Sequence, residues 1–360
     1  MVKSLHLLVA VSAHGYGHIA QTAPIVNRLR HLRPKLRLTL MADIPRDVLA
    51  EYFDAPWDHL TIASDIGMVM TSALDVQAQA SADAYREFHR NWDQKIVRMA
   101  QVLQSLGPNL LLANAPYLPL AAAAQAGIPA VALSSLNWAD MYQHYCGEHP
   151  EAAHIHTQIL AAYNSATAFL RLTPGMPMNN LTRCHIIGPV ARVGRERRKE
   201  IEQRLGLHNE ERVVLVSLGG IPTHINRERW PSVPAVRWLV PNAWKPCRPD
   251  EVAMESIDMP FQDLLRSCHG FIGKPGYGAF CEAACNGTPV LYVKRGHWPE
   301  EPYLIEWLER HGRCLEIGRE ELKQGALADP LERLFALPEK PQVIPAGIQT
   351  AVDFLIQEWF

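Results

Sequence analysis

A chain of 360 residues is long enough for about two domains of ordinary size, each with its own hydrophobic core. Its 35 Lys and Arg residues nearly balance its 37 Asp and Glu residues, so the formal net charge of -2 excludes a global attraction to nucleic acid or to an anionic membrane. The 7 cysteines include no CxxC pair, which predicts reduced thiols in a cytoplasmic protein.

The amino-terminal half predicts alternating strands and helices. Leu5 to Val11 is a short apolar run, typical of a strand buried on both faces of a parallel sheet and too short for a transmembrane segment. A helix is expected from Ile19 to Arg33, and a strand from Leu36 to Leu40. Further apolar strands are expected at 109–113, 130–133 and 168–172. This order is typical of a doubly wound α/β domain.

The second half predicts the same architecture without a sequence repeat. The composition changes near Gly188, and a charged helix follows that ends at Gly206. Strands are expected at 212–218, 270–272 and 289–293, whereas 221–249, rich in Pro, Trp and Arg, is expected to be a long connection. We therefore predict an amino-terminal domain over 1–187, a second domain over 188–347 and a terminal helix over 348–360.

The segment SAHGYGHIAQ places two glycines and two histidines directly after the first predicted strand. Ligands of doubly wound domains bind outside the carboxyl ends of the strands. Gly15 and Gly17 permit positive φ and close approach of the backbone, and the amides that open the next helix favour an anion. His14 and His18 can accept a proton near neutral pH, as deprotonation of a hydroxyl requires. The alternative is that both histidines only cap and pack a tight turn.

A second glycine-containing turn follows a strand of the second half. It contains Lys274, Gly276, Tyr277 and Gly278. Its backbone amides would bind phosphate oxygens, with Lys274 or Arg295 neutralising their charge, and Glu282 would accept hydrogen bonds from ribose hydroxyls. The sequence has neither GxxxxGK[ST] nor a GxGxxG after the first strand. The alternative is an ordinary strand-to-helix turn.

Taken in order, these motifs resemble the GT-B glycosyltransferases, notably their UDP-sugar-using and MurG-like branch. The resemblance rests on HGYGH, on Gly219 and Gly220 after the first strand of the second domain, and on GxGxxxE followed by GTPVLYV. A closer resemblance is to the amino-terminal region of L-arabinokinase and its free-standing bacterial relatives. The segments that carry it are His14 to His18, Asp65 to Gly67 with Ala73 to Asp75, Gly273 to Gly278, and Glu300 to Leu304.

The resemblance implies two Rossmann-like domains that face each other across a cleft. The amino-terminal domain would bind the acceptor, the carboxyl-terminal domain would bind the nucleotide sugar, and the terminal helix would cross back to the amino-terminal domain. His18 would be the general base, and Asp65 nearby would orient it. The resemblance also implies diphosphate and ribose contacts at Gly276, Gly278 and Glu282, and sugar-hydroxyl contacts at Glu300 and Glu301. Because EEP replaces the usual Asp-Gln or Gln-containing motif, the donor sugar is left open.

The predicted function is transfer of a hexosyl or pentosyl group from a nucleoside-diphosphate sugar, with UDP the first choice, to an acceptor hydroxyl, without metal and with inversion. No metal site is expected, because His154 and His156 point apart on a helix. The acceptor is not named; if it is membrane-bound, the Arg192 to Lys199 cluster would contact anionic head groups. Two alternatives stay open: an epimerase or hydrolase in which Glu301 and His18 act on the donor alone, and a non-catalytic nucleotide-sugar-binding module.

Overall fold

The computed structural model describes residues 5–208, 210–219, 225 and 227–360. The chain divides into two compact units. Unit 1 combines Met1–Thr71, Val76–Val190 and Ala346–Phe360, and unit 2 combines Ser72–Asp75 and Ala191–Pro345. The main change of unit follows Val190, close to the expected boundary at Gly188. The assignment of Ser72–Asp75 to unit 2 was not expected from the sequence.

Strands and helices alternate along the described chain. The strands are β1 (His6–Val11), β2 (Arg37–Met41), β3 (Asp58–Leu60), β4 (Met70–Ser72), β5 (Asp75–Val76), β6 (Leu110–Asn114), β7 (Ala130–Ser134), β8 (Ala168–Leu172), β9 (Cys184–Ile187), β10 (Arg212–Val216), β11 (Val236–Val240), β12 (Glu251–Ala253), β13 (Gly270–Gly273), β14 (Val290–Tyr292) and β15 (Cys314–Glu316). The helices are α1 (Gly17–Leu32), α2 (Arg46–Ala50), α3 (Ala78–His89), α4 (Trp92–Leu106), α5 (Leu118–Ala126), α6 (Trp138–Cys146), α7 (Ala152–Asn164), α8 (Arg198–Leu205), α9 (Phe261–Ser267), α10 (Tyr277–Asn286), α11 (Glu301–His311), α12 (Arg319–Gln324), α13 (Ala328–Phe335) and α14 (Gly347–Trp359). Short 3-10 helices lie at Arg227–Arg229, Asn242–Trp244 and Met254–Ile257.

Unit 1 is built on a seven-stranded parallel sheet in the order β3-β2-β1-β6-β7-β8-β9. Strands β1, β6 and β7 are buried along their whole length, which explains their continuous apolar sequence. Val11 at the end of β1 pairs with Asn114 at the end of β6, and the amide of Ser12 donates to the carbonyl of Asn114 at 2.8 Å. The turn after β1 therefore lies beside the end of β6.

The last helix, α14, is part of unit 1 and packs on α1. It buries Ala351, Val352 and Leu355. At its start the backbone of Gly347 approaches the preceding connection closely, and the amide of Gly347 donates to the carbonyl of Pro189 at 3.0 Å. A side chain at this position would overlap the carbonyl oxygen of Gly188. The docking of α14 thus depends on a residue without a Cβ.

Unit 2 is built on a six-stranded parallel sheet in the order β12-β11-β10-β13-β14-β15. The two sheets confirm the predicted α/β class. The prediction of a long connection over 221–249 was wrong in one part, because β11 lies within it and pairs with β10. Val216 in β10 pairs with Ile272 in β13, so the residues that follow these two strands are neighbours.

Among the residues described, no helix combines the length and the apolar character needed to cross a membrane. All 7 cysteines are free thiols.

Replacing Gly347 with alanine should destabilise unit 1, because the nearest obstacles are backbone atoms that cannot move aside. We expect a loss of about 1–3 kcal/mol of unfolding free energy, as for other overpacked sites. Urea unfolding followed by tryptophan fluorescence measures it. The control is Gly17→Ala, since an added Cβ at Gly17 meets nothing within 4 Å. Equal stability of the Gly347→Ala variant and the wild type would contradict the packing argument.

Candidate functional site

His18 lies in the first turn of α1 and is only 4% exposed. Its Nδ1 atom is 2.8 Å from Oδ1 of Asn114, the last residue of β6. An amide oxygen can only accept a hydrogen bond, so Nδ1 carries the proton and Nε2 keeps its lone pair. His18 is therefore held in the tautomer that can accept a proton through Nε2.

A buried chain of amides fixes this orientation. Nδ2 of Asn114 donates to Oε1 of Gln21 at 3.1 Å, and Nε2 of Gln21 donates to Oγ of Ser135 at 2.7 Å. Each of these side chains is at most 2% exposed. Because both amide nitrogens are engaged as donors, the Asn114 oxygen is left facing His18. Sequence reasoning missed this chain, although Asn114 and Ser135 both stand at the carboxyl ends of apolar strands.

Asp65 lies in the same cluster but is engaged elsewhere. Its Oδ2 atom accepts from Nε1 of Trp138 at 2.7 Å, and Ser12 also hydrogen-bonds this carboxylate. The hydrogen bond that orients His18 comes from Asn114, whereas Asp65 acts on His18 through its charge. Asn114, not Asp65, therefore makes the hydrogen bond that orients the His18 ring.

Trp138 brings the predicted residues of unit 1 together. Its ring centroid lies 5.3 Å from that of His14 and 5.6 Å from that of His18, and its indole nitrogen holds Asp65. The Asp65 to Gly67 motif has a steric reason as well. Gly67 has a φ of +65°, and a Cβ there would lie 2.6 Å from Cδ2 of His14. Only glycine therefore lets this segment close over His14.

The glycines of the first turn differ from each other. Gly15 has a φ of 72°, a conformation in which a larger residue would be strained. Gly17 instead begins α1, and the space around it is open to 4 Å. Of the two glycines that permit positive φ, only Gly15 adopts it.

Burial sets the protonation of the unit 1 cluster. Burial lowers the pKa of His18 below its ordinary value of 6.5, while the hydrogen bond with Asn114 and the charge of Asp65 oppose the shift. Burial also raises the pKa of Asp65, against the effects of Ser12, His18 and Trp138. His18 is consequently neutral at pH 7 and available as a base.

In unit 2 the predicted glycine turn joins β13 to α10. Gly276 precedes α10 with an extended backbone, and the first turn of this helix carries no acidic side chain. Lys274 follows β13, and its Cε atom would lie 3.5 Å from a Cβ placed on Gly219, which follows β10 with a φ of +85°. Gly219, Lys274 and the start of α10 therefore lie together. Gly220 lies outside the described residues.

The pKa of Lys274 lies close to neutral pH. Burial, together with the charge of Arg295, lowers its pKa to about 7, and Glu300 and Glu301 act in the opposite direction. Part of the Lys274 population is then neutral at pH 7. An anion bound beside Lys274 would restore the proton.

Glu282, expected to bind ribose, is held by a side chain of its own unit. It is 4% exposed, and Oε1 lies 3.2 Å from Nε of Arg192. Nδ2 of Asn286 donates to the carbonyls of both Glu282 and Arg192, at 2.8 and 3.1 Å. Burial raises the pKa of Glu282, and Arg192 opposes this shift. The ribose contact stays a prediction.

Arg295, Glu300 and Glu301 organise the loop after β14. Glu301 accepts from the amides of Arg295 at 2.8 Å and Gly296 at 3.1 Å, one with each oxygen. The Arg295 guanidinium donates to the carbonyl of Pro275 at 2.5 Å and stacks 4.3 Å from the centroid of Trp298. Nε1 of Trp298 donates to Glu300 at 3.1 Å. The residues expected to contact phosphate and sugar thus also hold their own loop in place.

Within the described part of the chain, no group of three or more His, Cys, Asp or Glu side chains could hold a metal ion. The positive groups of the unit 2 site are instead Lys274, Arg295 and the amides that open α10.

Comparison with known proteins places this geometry in a fold class. No family model matches the chain. Among solved structures, the glycosyltransferase of kitacinnamycin has a TM-score of 0.66 at 16% identity, covering 99% of this chain and all of that one. UGT89C1 of Arabidopsis thaliana, complexed with UDP, has a TM-score of 0.63 at 14% identity, covering 99% of each chain. The glycosyltransferase VinC, in complex with dTDP, has a TM-score of 0.58 at 17% identity, covering 99% and 95%. The chain has the GT-B fold.

A curated relative is L-arabinokinase of Arabidopsis thaliana, which is 26% identical over 349 residues. The match covers 93% of this chain and 33% of that protein. The chain therefore spans about a third of the length of this relative.

Replacing Asn114 with aspartate should raise the pKa of His18, because a carboxylate beside Nδ1 stabilises the imidazolium ion. In the wild type we expect a neutral His18 at pH 7 with the proton on Nδ1. Nitrogen-15 NMR of the histidine rings across a pH titration measures both properties. His89, whose pKa is lowered to about 4 by burial, is the internal control and should not move. An unchanged or lowered pKa of His18 in Asn114→Asp would refute the assigned hydrogen bond.

Proposed function

We propose that this protein is a glycosyltransferase that moves a sugar from a nucleoside-diphosphate sugar, with UDP as the first choice of nucleotide, to an acceptor hydroxyl. The observation that carries the proposal is the buried His18 whose proton is held on Nδ1 by Asn114, within a GT-B fold. A neutral imidazole with a fixed tautomer is the group that a hydroxyl nucleophile needs as base. The similar chains that were solved with UDP and dTDP support the choice of donor.

Unit 2 would bind the donor. The diphosphate would lie at the start of α10, where the amides of the first helical turn and the helix dipole favour negative charge. Lys274 would neutralise a phosphate oxygen and take up a proton as it does so. Gly219 and Gly276 would let the backbone approach the ligand, and Tyr277 and Gly278 form the first turn of the helix that carries these amides.

Unit 1 would supply the base. The acceptor oxygen forms a bond to the anomeric carbon while the bond from that carbon to the diphosphate oxygen breaks, and Nε2 of His18 takes the hydroxyl proton. The electron pair of the broken bond leaves with the nucleoside diphosphate, where Lys274 and the α10 amides stabilise the charge. A single displacement of this kind inverts the anomeric centre. We propose that Lys274 and the α10 amides stabilise the charge of the leaving diphosphate without a metal ion.

The contacts of Glu301 bear on the alternative of an epimerase or hydrolase. An epimerase or hydrolase acting through Glu301 would need a free carboxylate, and both oxygens of Glu301 accept backbone amides of the Arg295 loop. Transfer to an acceptor hydroxyl therefore has stronger support than a reaction of the donor alone through Glu301.

A membrane-bound acceptor would use the Arg192 to Lys199 cluster for its head groups. Arg192 and Arg197 of this cluster already form ion pairs with acidic residues of unit 2.

Nucleoside diphosphates should bind, and their affinity should fall as the pH rises above about 7. The reason is that the bound state needs protonated Lys274. Below its pKa of about 7 the free protein already holds Lys274 protonated, whereas above that pH ligand binding must also protonate Lys274, which weakens binding. Calorimetry with UDP, dTDP, GDP and ADP between pH 6 and 8.5 measures this. Lys274→Met should weaken binding roughly tenfold or more and remove the pH dependence, whereas Lys323→Met, at an exposed site, should change neither. Failure of every nucleotide to bind, or a pH dependence retained in Lys274→Met, would count against this donor site.

His18→Ala should lower turnover about 100- to 10,000-fold while leaving nucleotide affinity near that of the wild type, because a positioned base contributes this much. The assay offers UDP-sugars to a panel of hydroxyl acceptors and follows UDP release, and NMR of the product gives the anomeric configuration. His31→Ala, on the exposed face of α1, is the matched control.

Near wild-type turnover in His18→Ala would exclude the base, and a retained anomeric configuration would exclude the single displacement. Nucleotide binding without turnover on any acceptor, or with water as the acceptor, would favour the binding module or the hydrolase instead. His14→Ala shows whether the two histidines act jointly.

A further inference from the structure

The segment Ser72–Asp75 joins β4 to β5 and belongs to unit 2, although the rest of that unit begins at Ala191. Ala73 is completely buried in the hydrophobic core of unit 2, and Leu74 packs against the same core. A solvated hairpin turn would bury neither residue. The segment is therefore a built part of unit 2, and we call it the inserted turn.

Arg319, the first residue of α12, joins the inserted turn to the loop after β14. Its Nη1 atom lies 2.7 Å from Oδ1 of Asp75. Its Nη2 atom donates to the carbonyl of Leu74 at 3.2 Å and to that of Arg295 at 2.7 Å, and Nε donates to the carbonyl of Lys294 at 3.2 Å. One planar guanidinium thus holds acceptors on two segments that are remote in sequence.

The carboxylate of Asp75 is itself held in place. Its Oδ2 atom accepts from Oγ of Ser72 at 2.7 Å, within the inserted turn. The hydrogen bonds from Arg319 and Ser72 hold the pKa of Asp75 below its usual range. Asp75 is therefore charged at neutral pH and presents one oxygen to Arg319.

The loop that Arg319 holds reaches the unit 2 site. Its central residue, Arg295, donates to the carbonyl of Pro275, which lies between Lys274 and Gly276 in the turn before α10. Glu301 accepts hydrogen bonds from the amides of Arg295 and Gly296 in the same loop. The contacts are continuous from the inserted turn through Arg319 and Arg295 to the turn before α10.

We infer that the inserted turn and Arg319 are a positioning device for the donor site, one that keeps the loop Lys294–Gly296 against the turn before α10. Asp75 and Arg319 act through Arg295 and are positioning residues. The identity of the ligand rests on the proposed function, whereas the positioning of the loop rests on the contacts of Arg319. Because Asp75 and Arg319 are 52% and 36% exposed, their ion pair adds little to global stability, so its loss should show in ligand binding instead.

The first test measures UDP affinity by calorimetry in four variants. Arg319→Lys keeps the charge but loses the fork, and it should bind UDP roughly tenfold more weakly. Asp75→Asn should weaken binding about threefold, and Asp75→Glu should recover most of that loss. Glu320→Gln breaks the exposed Lys323–Glu320 ion pair on the same helix and is the matched control. Melting temperatures of all four should stay close to that of the wild type.

The second test needs no nucleotide. Hydrogen exchange in the free protein should show faster exchange of the Arg295 and Gly296 amides in Arg319→Lys, and unchanged exchange in Glu320→Gln. Equal exchange in Arg319→Lys and wild type overturns the positioning of the loop, whether or not UDP binds. Faster exchange with unaltered UDP affinity overturns its link to the donor site. A wild-type protein that binds no UDP refutes the proposed donor and that link together, while the exchange result still decides whether Arg319 holds the loop.

Discussion

Parallel pairing of the central strands is the constraint on which both sites depend. Parallel strands end at the same edge of a sheet, so the pairing of β1 with β6 brings the turn that holds His18 next to Asn114, 96 residues further along the chain. The pairing of β10 with β13 brings Gly219 beside Lys274 in the same way. In both units the intervening helices only return the chain to the other end of the sheet, and the strand pairing brings the site residues together.

The buried strands also set the electrostatics of the residues that follow them. A side chain in the turn or the first helical turn after a fully buried strand is partly removed from water, and burial disfavours its charged form. This lowers the pKa of His18 and brings that of Lys274 to about 7. One effect therefore gives unit 1 a neutral base and gives unit 2 a cation that an anion can recharge. The residues that position His18 and the turn around Lys274 do so through buried hydrogen bonds, between Asn114 and His18 and from Arg295 to the carbonyl of Pro275.

Local sequence signals predicted the local features well. Apolar runs between helical stretches indicated the strands, and the glycines after the first strand indicated a tight turn, in which Gly15 has positive φ. Long-range partners were not predictable, because a single sequence does not show which strand end faces His18. The predicted strand ended at residue 113, one position before Asn114, and Asp65 was the carboxylate expected to orient His18. Strand β11 was missed because its five residues lie among prolines and tryptophans that hide its pattern. The assignment of Ser72–Asp75 to unit 2 has no local signal at all.

Each unit includes a segment from a distant part of the chain: unit 1 contains Ala346–Phe360, and unit 2 contains Ser72–Asp75. During synthesis, the unit 1 core cannot be completed until α14 has been made, after nearly all of unit 2. The unit 2 core must meanwhile recruit Ala73, which was made long before it. Such non-local closures slow folding and couple the two units into one late step. A cut at the apparent boundary after Val190 would therefore yield two incomplete fragments instead of two domains.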